Sequence, residues 1–283
     1  MPELPEVETI VRRLQEVVVG KKFSNIQKLH KKSFVGDINN LINTSITKVS
    51  RRAKFINFHL NNDLHLLTHL KMTGQMIYVG DDARIGGGHP TADWVQNLPA
   101  KHTRIAYDFH DGSKLYFNDQ RIFGWMKVIN KNELEQIFSK YGEDINKINK
   151  KNILNIIKKI NKSRRAIKQV LLDQKILAGL GNIYVCEALW LAKIDPQIPA
   201  NLLSESQISE LLDFAIKIIN KAIDLGGTTF DGKYVGVDGF SGNFQNELKV
   251  YGQEGETCSR CGSLIQKTKQ GGRGTYYCSG CQR

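Results

Sequence analysis

The chain has 283 residues, 41% of them hydrophobic, enough to bury a core and long enough for two domains or one with appendages. Forty Lys and Arg against 28 Asp and Glu leave a formal charge of +12, which points to a polyanionic partner, nucleic acid before an anionic membrane surface. No apolar run reaches membrane-spanning length, since the longest, 176–192, is broken by Gly179, Gly181, Asn182 and Glu187, and a start with two prolines and three glutamates is no signal peptide; a soluble cytoplasmic protein is expected.

The chain opens Met1-Pro2-Glu3-Leu4-Pro5-Glu6-Val7-Glu8-Thr9. Removal of Met1 would expose the secondary amine of Pro2. An α-amino group has a pKa of about 7.7–8.0, against about 10.4 for lysine, so a sizeable minority is unprotonated near neutral pH. Such an amine can attack an electrophilic carbon and form an imine-type intermediate. Glu3 follows at once, well placed for a general acid. The same residues also read as an ordinary helix start, with Pro5 in the first turn and Glu6 and Glu8 at the positive end of the dipole. On these nine residues alone the ordinary reading has the advantage.

Val7, Ile10, Val11, Leu14 and Val17/Val18 then recur at helical spacing, and Gly20 ends that helix. From 23 to 129 the pattern becomes short β-type runs, at 55–60, 64–70, 76–79, 104–109 and 114–117, separated by turns. Strands at such intervals predict a sandwich or barrel. The glycine run 86–90 reads as a surface loop within this region. Residues 131–168 are rich in Lys, Asn and Ile, with apolar spacing at Ile153, Ile156/Ile157 and Ile160. They read as helix with a solvated basic face, although biased nucleotide composition would give the same enrichment.

Two further helices are predicted over 164–173 and 182–192. The connection between them, 174–181, is too long for the ordinary helix-turn-helix turn. Its glycines leave backbone N–H groups open to phosphate at the start of the second helix, a weak signal by itself. Residues 204–225 read as another helix, capped by Ser204 and closed by Gly226-Gly227. The glycine-rich stretch 225–243 carries Phe230, Tyr234 and Phe240, unusual in a plain linker, and reads as a mobile functional loop.

Four of the five cysteines lie at Cys258, Cys261, Cys278 and Cys281, a C-x2-C pair, sixteen residues, and a second C-x2-C pair. The spacing fits a four-thiolate site for one structural Zn2+. Two disulfides would use the same residues, but thiols stay reduced in a chain without a secretion signal. Cys186 stands apart, in an apolar helical stretch where it reads as a buried small hydrophobe.

The N-terminal Pro2-Glu3-Leu4-Pro5-Glu6-Val7-Glu8-Thr9, Gly179-Leu180-Gly181-Asn182-Ile183-Tyr184 and the terminal cysteine pairs occur here in one order. Together they resemble the bacterial formamidopyrimidine-DNA glycosylases, relatives of endonuclease VIII, over nearly the whole chain. The resemblance implies an α+β multidomain fold: an N-terminal β-sandwich with an N-terminal helix, a helix–two-turn–helix domain and a C-terminal zinc ribbon. The expected boundaries are 1–130 for the sandwich, 131–150 for a linker, 151–227 for the helical domain, 228–244 for a lesion-capping loop and 245–283 for the ribbon.

The activity it implies is a bifunctional glycosylase and AP lyase on oxidised purines, 8-oxoguanine and formamidopyrimidines, through a Schiff base on the terminal proline and β,δ-elimination. Pro2 would be the nucleophile and Glu3 the donor of a proton to the sugar ring oxygen. Lys54 would contact phosphate and assist elimination, and Arg273 would grip the flanking phosphates in the second elimination. An extruded nucleotide leaves a gap that inserted side chains fill. Met72, Arg121 and Phe123 match that role, with core packing the ordinary alternative for Met72 and Phe123.

His102, Arg164 and Asn182 match positions holding the DNA backbone, and for His102 a structural histidine is the alternative. Ile122 stands where many members carry a basic residue, and the insertion 86–99 is longer than the family pattern. The expected partner is damaged double-stranded DNA, bound by a monomer that joins the nucleoid when engaged. The capping loop favours this branch over an endonuclease VIII-like enzyme for oxidised pyrimidines; Pro2-Glu3 with Lys54 favours an enzyme over a non-catalytic zinc-ribbon DNA-binding protein.

Overall fold

The computed structural model describes residues 2–81, 83–89, 91–94, 97–228 and 242–283. The chain divides into two compact units, 1–139 with 225–243, and 140–224 with 244–283.

The first unit opens with α1 (Leu4–Val18), whose Leu4, Val7, Ile10, Val11, Leu14 and Val18 bury one continuous face. Glu3 is its N-cap, and the Glu3 N–H donates to the Glu6 carboxylate at 2.8 Å. Gly20, at φ 85°, turns the chain into the strands. In order these are β1 (Phe23–Lys28), β2 (Phe34–Val35), β3 (Ile46–Arg52), β4 (Phe55–Leu60), β5 (His65–His69), β6 (Gly74–Val79), β7 (Arg84–Gly88), β8 (Thr103–Phe109), β9 (Lys114–Asp119) and β10 (Trp125–Ile129).

They form two five-stranded sheets, β1-β8-β9-β6-β7 and β2-β10-β5-β4-β3. One core joins them to the helix, with Phe23, Tyr107 and Phe117 from the first sheet, Ile56, Phe58 and Leu66 from the second, and Val7 and Leu14 from α1. Each such side chain stabilises the fold by about 1.5–3 kcal/mol relative to exposure. The glycine run 86–90 is not simply a surface loop, because its first three residues belong to β7, an edge strand on β6. Lack of side chains allows the approach: a Cβ on Gly88, at φ 121°, would lie 2.2 Å from the Gly74 carbonyl oxygen.

Residues 131–168 are likewise not one helix. α2 (Lys131–Phe138) starts at Asn130, whose side chain accepts from the Glu133 N–H at 2.9 Å, and it closes the first unit's leading segment. In the second unit, β11 (Glu143–Asp144) precedes α3 (Ile153–Asn161), which buries Ile156, Ile157 and Ile160 as its spacing predicts. β11 pairs in parallel with β12 (Leu177–Ala178), and Gly142 beside it approaches Ile176 too closely for a Cβ, which would sit 2.2 Å from the Ile176 carbonyl oxygen. That long-range pairing interrupts the helix.

α4 (Ile167–Leu171) is shorter than the predicted 164–173, because Ala166 is non-helical at ψ 138°, bridges Pro199, and is followed by an Ile167 N–H bond to the Ile198 carbonyl at 2.7 Å. α5 (Asn182–Leu191) is buried almost all round, from Ile183 to Trp190. α6 (Glu205–Asp224) starts at Ser204, which exchanges bonds with Gln207 at 2.9 and 3.2 Å. β13 (Ile265–Gln270) and β14 (Arg273–Cys278) make the terminal ribbon. The Glu187 carboxylate of α5 ties in the segment before it, accepting N–H bonds from Lys249, Val250 and Tyr251 at 2.8–2.9 Å.

Candidate active site and nucleic-acid interface

Pro2 and Glu3 are buried immediately ahead of α1. Lys54 is only 6% exposed, rare for a lysine. It sits with Ala53, at φ 51°, in the two-residue turn joining β3 to β4. Arg51 holds that turn, donating to the Ala53 carbonyl at 2.9 Å and to the Glu8 carboxylate of α1 at 2.7 Å. Burial opposes charge on Glu8, yet the Arg51 and Arg12 guanidiniums keep its pKa below the usual carboxylate value. The hairpin that carries Lys54 is thereby fixed to the N-terminal half of the helix that Glu3 caps.

Glu6, which the sequence does not single out, makes a second connection. One carboxylate oxygen takes the Glu3 N–H and the other takes the Thr228 N–H at 2.9 Å. Thr228 faces Asn243 in an isolated bridge, so both ends of the glycine-rich stretch are held at the start of α1. The body of that stretch, 229–241, with Phe230, Tyr234 and Phe240, lies outside the described residues. The sequence signal for Glu6 was its place three residues after the cap.

Met72 and Phe123 are not core residues, being 38% and 53% exposed. Met72 rides the turn 70–74 between β5 and β6; Arg121 and Phe123 ride the turn 120–124 between β9 and β10. The Arg121 guanidinium stacks 4.8 Å from the Phe123 ring centroid. Ile122 between them is exposed and at φ 60°, an awkward backbone for a β-branched residue.

His69 supports the Met72 turn, accepting the Lys71 N–H at Nδ1 over 3.0 Å. Burial, with Lys71 and Lys54 nearby, drives its pKa down to about 3, so the ring is neutral with its proton on Nε2. His102 has Nδ1 2.9 Å from the Asp93 carboxylate. Asp93 belongs to the 86–99 insertion and its carbonyl accepts from Arg84 at 3.1 Å, so one service of the insertion is to orient His102.

Within the second unit, Arg273 opens β14 beside Gly271 and Gly272, both at positive φ. The Gly274 carbonyl next to it accepts from Asn182 Nδ2 and from Lys168 Nζ, each at 2.9 Å. Asn182 is thus brought to the Arg273 turn, with Lys168 as an added partner that sequence reading missed. Arg164 is exposed ahead of α4 and makes no hydrogen bond or ion pair among the described residues. Gln174 orders the inter-helix turn, bonding the Gly179 N–H at 2.9 Å and the Leu180 carbonyl at 2.8 Å.

Cys258, Cys261, Cys278 and Cys281 present four sulfurs within 4.8 Å of one another. The Cys261–Cys278 and Cys258–Cys281 pairs stand 3.4 and 3.9 Å apart, far beyond a disulfide bond. Tetrahedral zinc with Zn–S of about 2.3 Å places sulfurs about 3.8 Å apart, so the donor set fits one structural Zn2+.

Residues 1–126 match the model of the formamidopyrimidine-DNA glycosylase N-terminal domain, and 144–233 that of the formamidopyrimidine-DNA glycosylase H2TH domain. The chain belongs to the formamidopyrimidine-DNA glycosylase family. Residues 255–283 match the zinc finger found in FPG and IleRS. The formamidopyrimidine-DNA glycosylase of Ligilactobacillus salivarius is 38% identical, over 100% of this chain and 99% of its own. That of an Exiguobacterium species is 39% identical over 100% of both. Among solved structures, Lactococcus lactis Fpg in complex with abasic-site DNA superposes with a TM-score of 0.86 at 37% identity, covering 100% of both chains. The wild-type Lactococcus lactis enzyme with N7-benzyl-Fapy-dG DNA matches equally, with a TM-score of 0.86. Family membership thus agrees with the sandwich, the helical region and the ribbon described above.

Proposed function

We propose that this chain is a base-excision repair glycosylase and AP lyase that removes oxidised purines from damaged double-stranded DNA, with Pro2 as nucleophile. Loss of Met1 frees the Pro2 nitrogen, which bonds to C1′ of the damaged nucleoside as the bond from C1′ to the base breaks. Glu3 passes a proton to the ring oxygen, the sugar opens, and an iminium links protein and deoxyribose. The iminium acidifies C2′, so the 3′ phosphate leaves; a second proton loss, at C4′, expels the 5′ phosphate.

Lys54 and Arg273 bind the departing phosphates in this scheme. Met72, Arg121 and Phe123 fill the vacated stack, and His102, Arg164 and Asn182 hold the backbone. The stretch 228–244 covers the extruded base. The zinc ribbon is structural, and the protein works as a monomer on nucleoid DNA. The observation that carries the reading is a buried Glu3 fixed directly after Pro2 by its bond to Glu6.

The test is borohydride trapping on duplex DNA containing 8-oxoguanine. A covalent protein–DNA species, with strand cleavage leaving phosphate on both sides of the gap in its absence, is expected. No trapped species from protein lacking Met1 contradicts the reading.

A further inference from the structure

Asp119 closes β9 and is fully buried. A buried carboxylate is costly unless its lone pairs are occupied, and here they are. Oδ1 accepts from the Thr73 hydroxyl and from the Arg121 N–H at 3.2 Å; Oδ2 accepts from the Gly124 N–H at 2.6 Å. Thr73 Oγ1 in turn accepts the same Arg121 N–H at 2.9 Å. One carboxylate therefore joins the turn that carries Met72 to the turn that carries Arg121 and Phe123.

The main chain around it is equally constrained. Asp119 pairs with Gly74 across β6 and β9, its N–H donates to the His102 carbonyl at 2.9 Å, and its carbonyl accepts from Arg104 Nε at 2.7 Å. Both turns need glycine where they close: a Cβ on Gly74 would meet the Leu70 carbonyl oxygen at 2.4 Å, and one on Gly124 the Phe117 ring at 2.8 Å. Lys71 and Ile122 hold left-handed backbone, a state that persists only where the surroundings over-determine it. Met72 and Phe123 are exposed and outside the core, with Phe123 stacked, among the described residues, only on the Arg121 guanidinium, so core packing does not fix them. Their backbone must be fixed by something else, and Asp119 is bonded to both turns.

We propose that Asp119 is a positioning residue for base extrusion: it locks the two turns into one preformed wedge, so that Met72, Arg121 and Phe123 are aligned before the duplex is entered. Ordering two loose turns during insertion would otherwise oppose binding. The proposal rests on the void-filling reading of those three residues.

The experiment compares single-turnover removal of 8-oxoguanine from duplex DNA with cleavage of a single-stranded abasic oligonucleotide, which has no stacked base to extrude. In Asp119→Asn the ratio of the first rate to the second should fall roughly ten- to hundred-fold, the scale of loss expected when reacting groups are misplaced by about 1 Å. Thr73→Val, which removes only the bridging hydroxyl, should move the ratio in the same direction by less, and it serves if the Asp119 variant does not fold. Equal loss on both substrates would mean general structural damage and overturn the proposal, as would an unchanged ratio. Met72→Ala and Phe123→Ala are run alongside. If they leave the ratio unchanged, the void-filling reading fails and takes the proposal with it; if they lower it while both network variants do not, the positioning role alone fails.

Discussion

His69 shows how one side chain can make stability depend on pH. Folded, it stays neutral to about pH 3 because it is buried with its Nδ1 bonded to the Lys71 N–H. Unfolded, it takes a proton below about 6.5. Between those limits the unfolded state binds more protons, so stability rises with pH and is lost as pH falls through that window, by at most about 1.4 kcal/mol per pH unit. His69→Asn keeps an acceptor near the Nδ1 position and removes the titration. Urea midpoints at pH 7 and pH 5 should therefore differ less in the variant than in the parent; an equal pH response would contradict this. None of that is readable in the sequence, where His69 is one of seven histidines. Met72 and Phe123 were different. Their motif pointed outward while their apolar character pointed inward, and their exposure decides for the surface. Asp119 could not be found as an anchor from spacing, because its partner Thr73 is distant in the chain, and spacing gave only the capping bond of Glu6, not its bond to Thr228.

At the scale of elements, the legible pieces are those whose pattern is local. α1 and β4 follow from spacing and turns, and Ser204 and the terminal cysteines announce themselves. The misread pieces all depend on a distant partner. β7 forms because glycines let it close on β6, α4 begins late because Ala166 bridges Pro199, and the 131–168 stretch is broken by the pairing of β11 with β12. The ribbon carries a prediction of its own. Cys258 and Cys261 precede β13, Cys278 ends β14 and Cys281 follows it, and only Ile265, Thr275 and Cys278 of the two strands are buried, so the metal supplies much of the ribbon's folding energy. Cys258→Ser or Cys281→Ser should strip zinc, speed amide exchange across 265–278 and weaken DNA binding. Full zinc content in either variant would refute the four-sulfur site.

For the molecule as a whole, the order of three separated motifs was enough to expect a sandwich, a helical region and a ribbon, and family membership agrees. What the order hides is that the chain is not cut into units in sequence. Residues 225–243 follow α6 yet group with 1–139, and the Thr228 N–H bond to Glu6 joins that distant segment to the helix capped by Glu3. The proposed chemistry converges on that start. The most direct test digests the borohydride-trapped adduct and locates the sugar by mass spectrometry. The account predicts a deoxyribose remnant on the Pro2 nitrogen of a peptide that lacks Met1. A remnant on a lysine such as Lys54, or full nicking activity from protein that retains Met1, would contradict it.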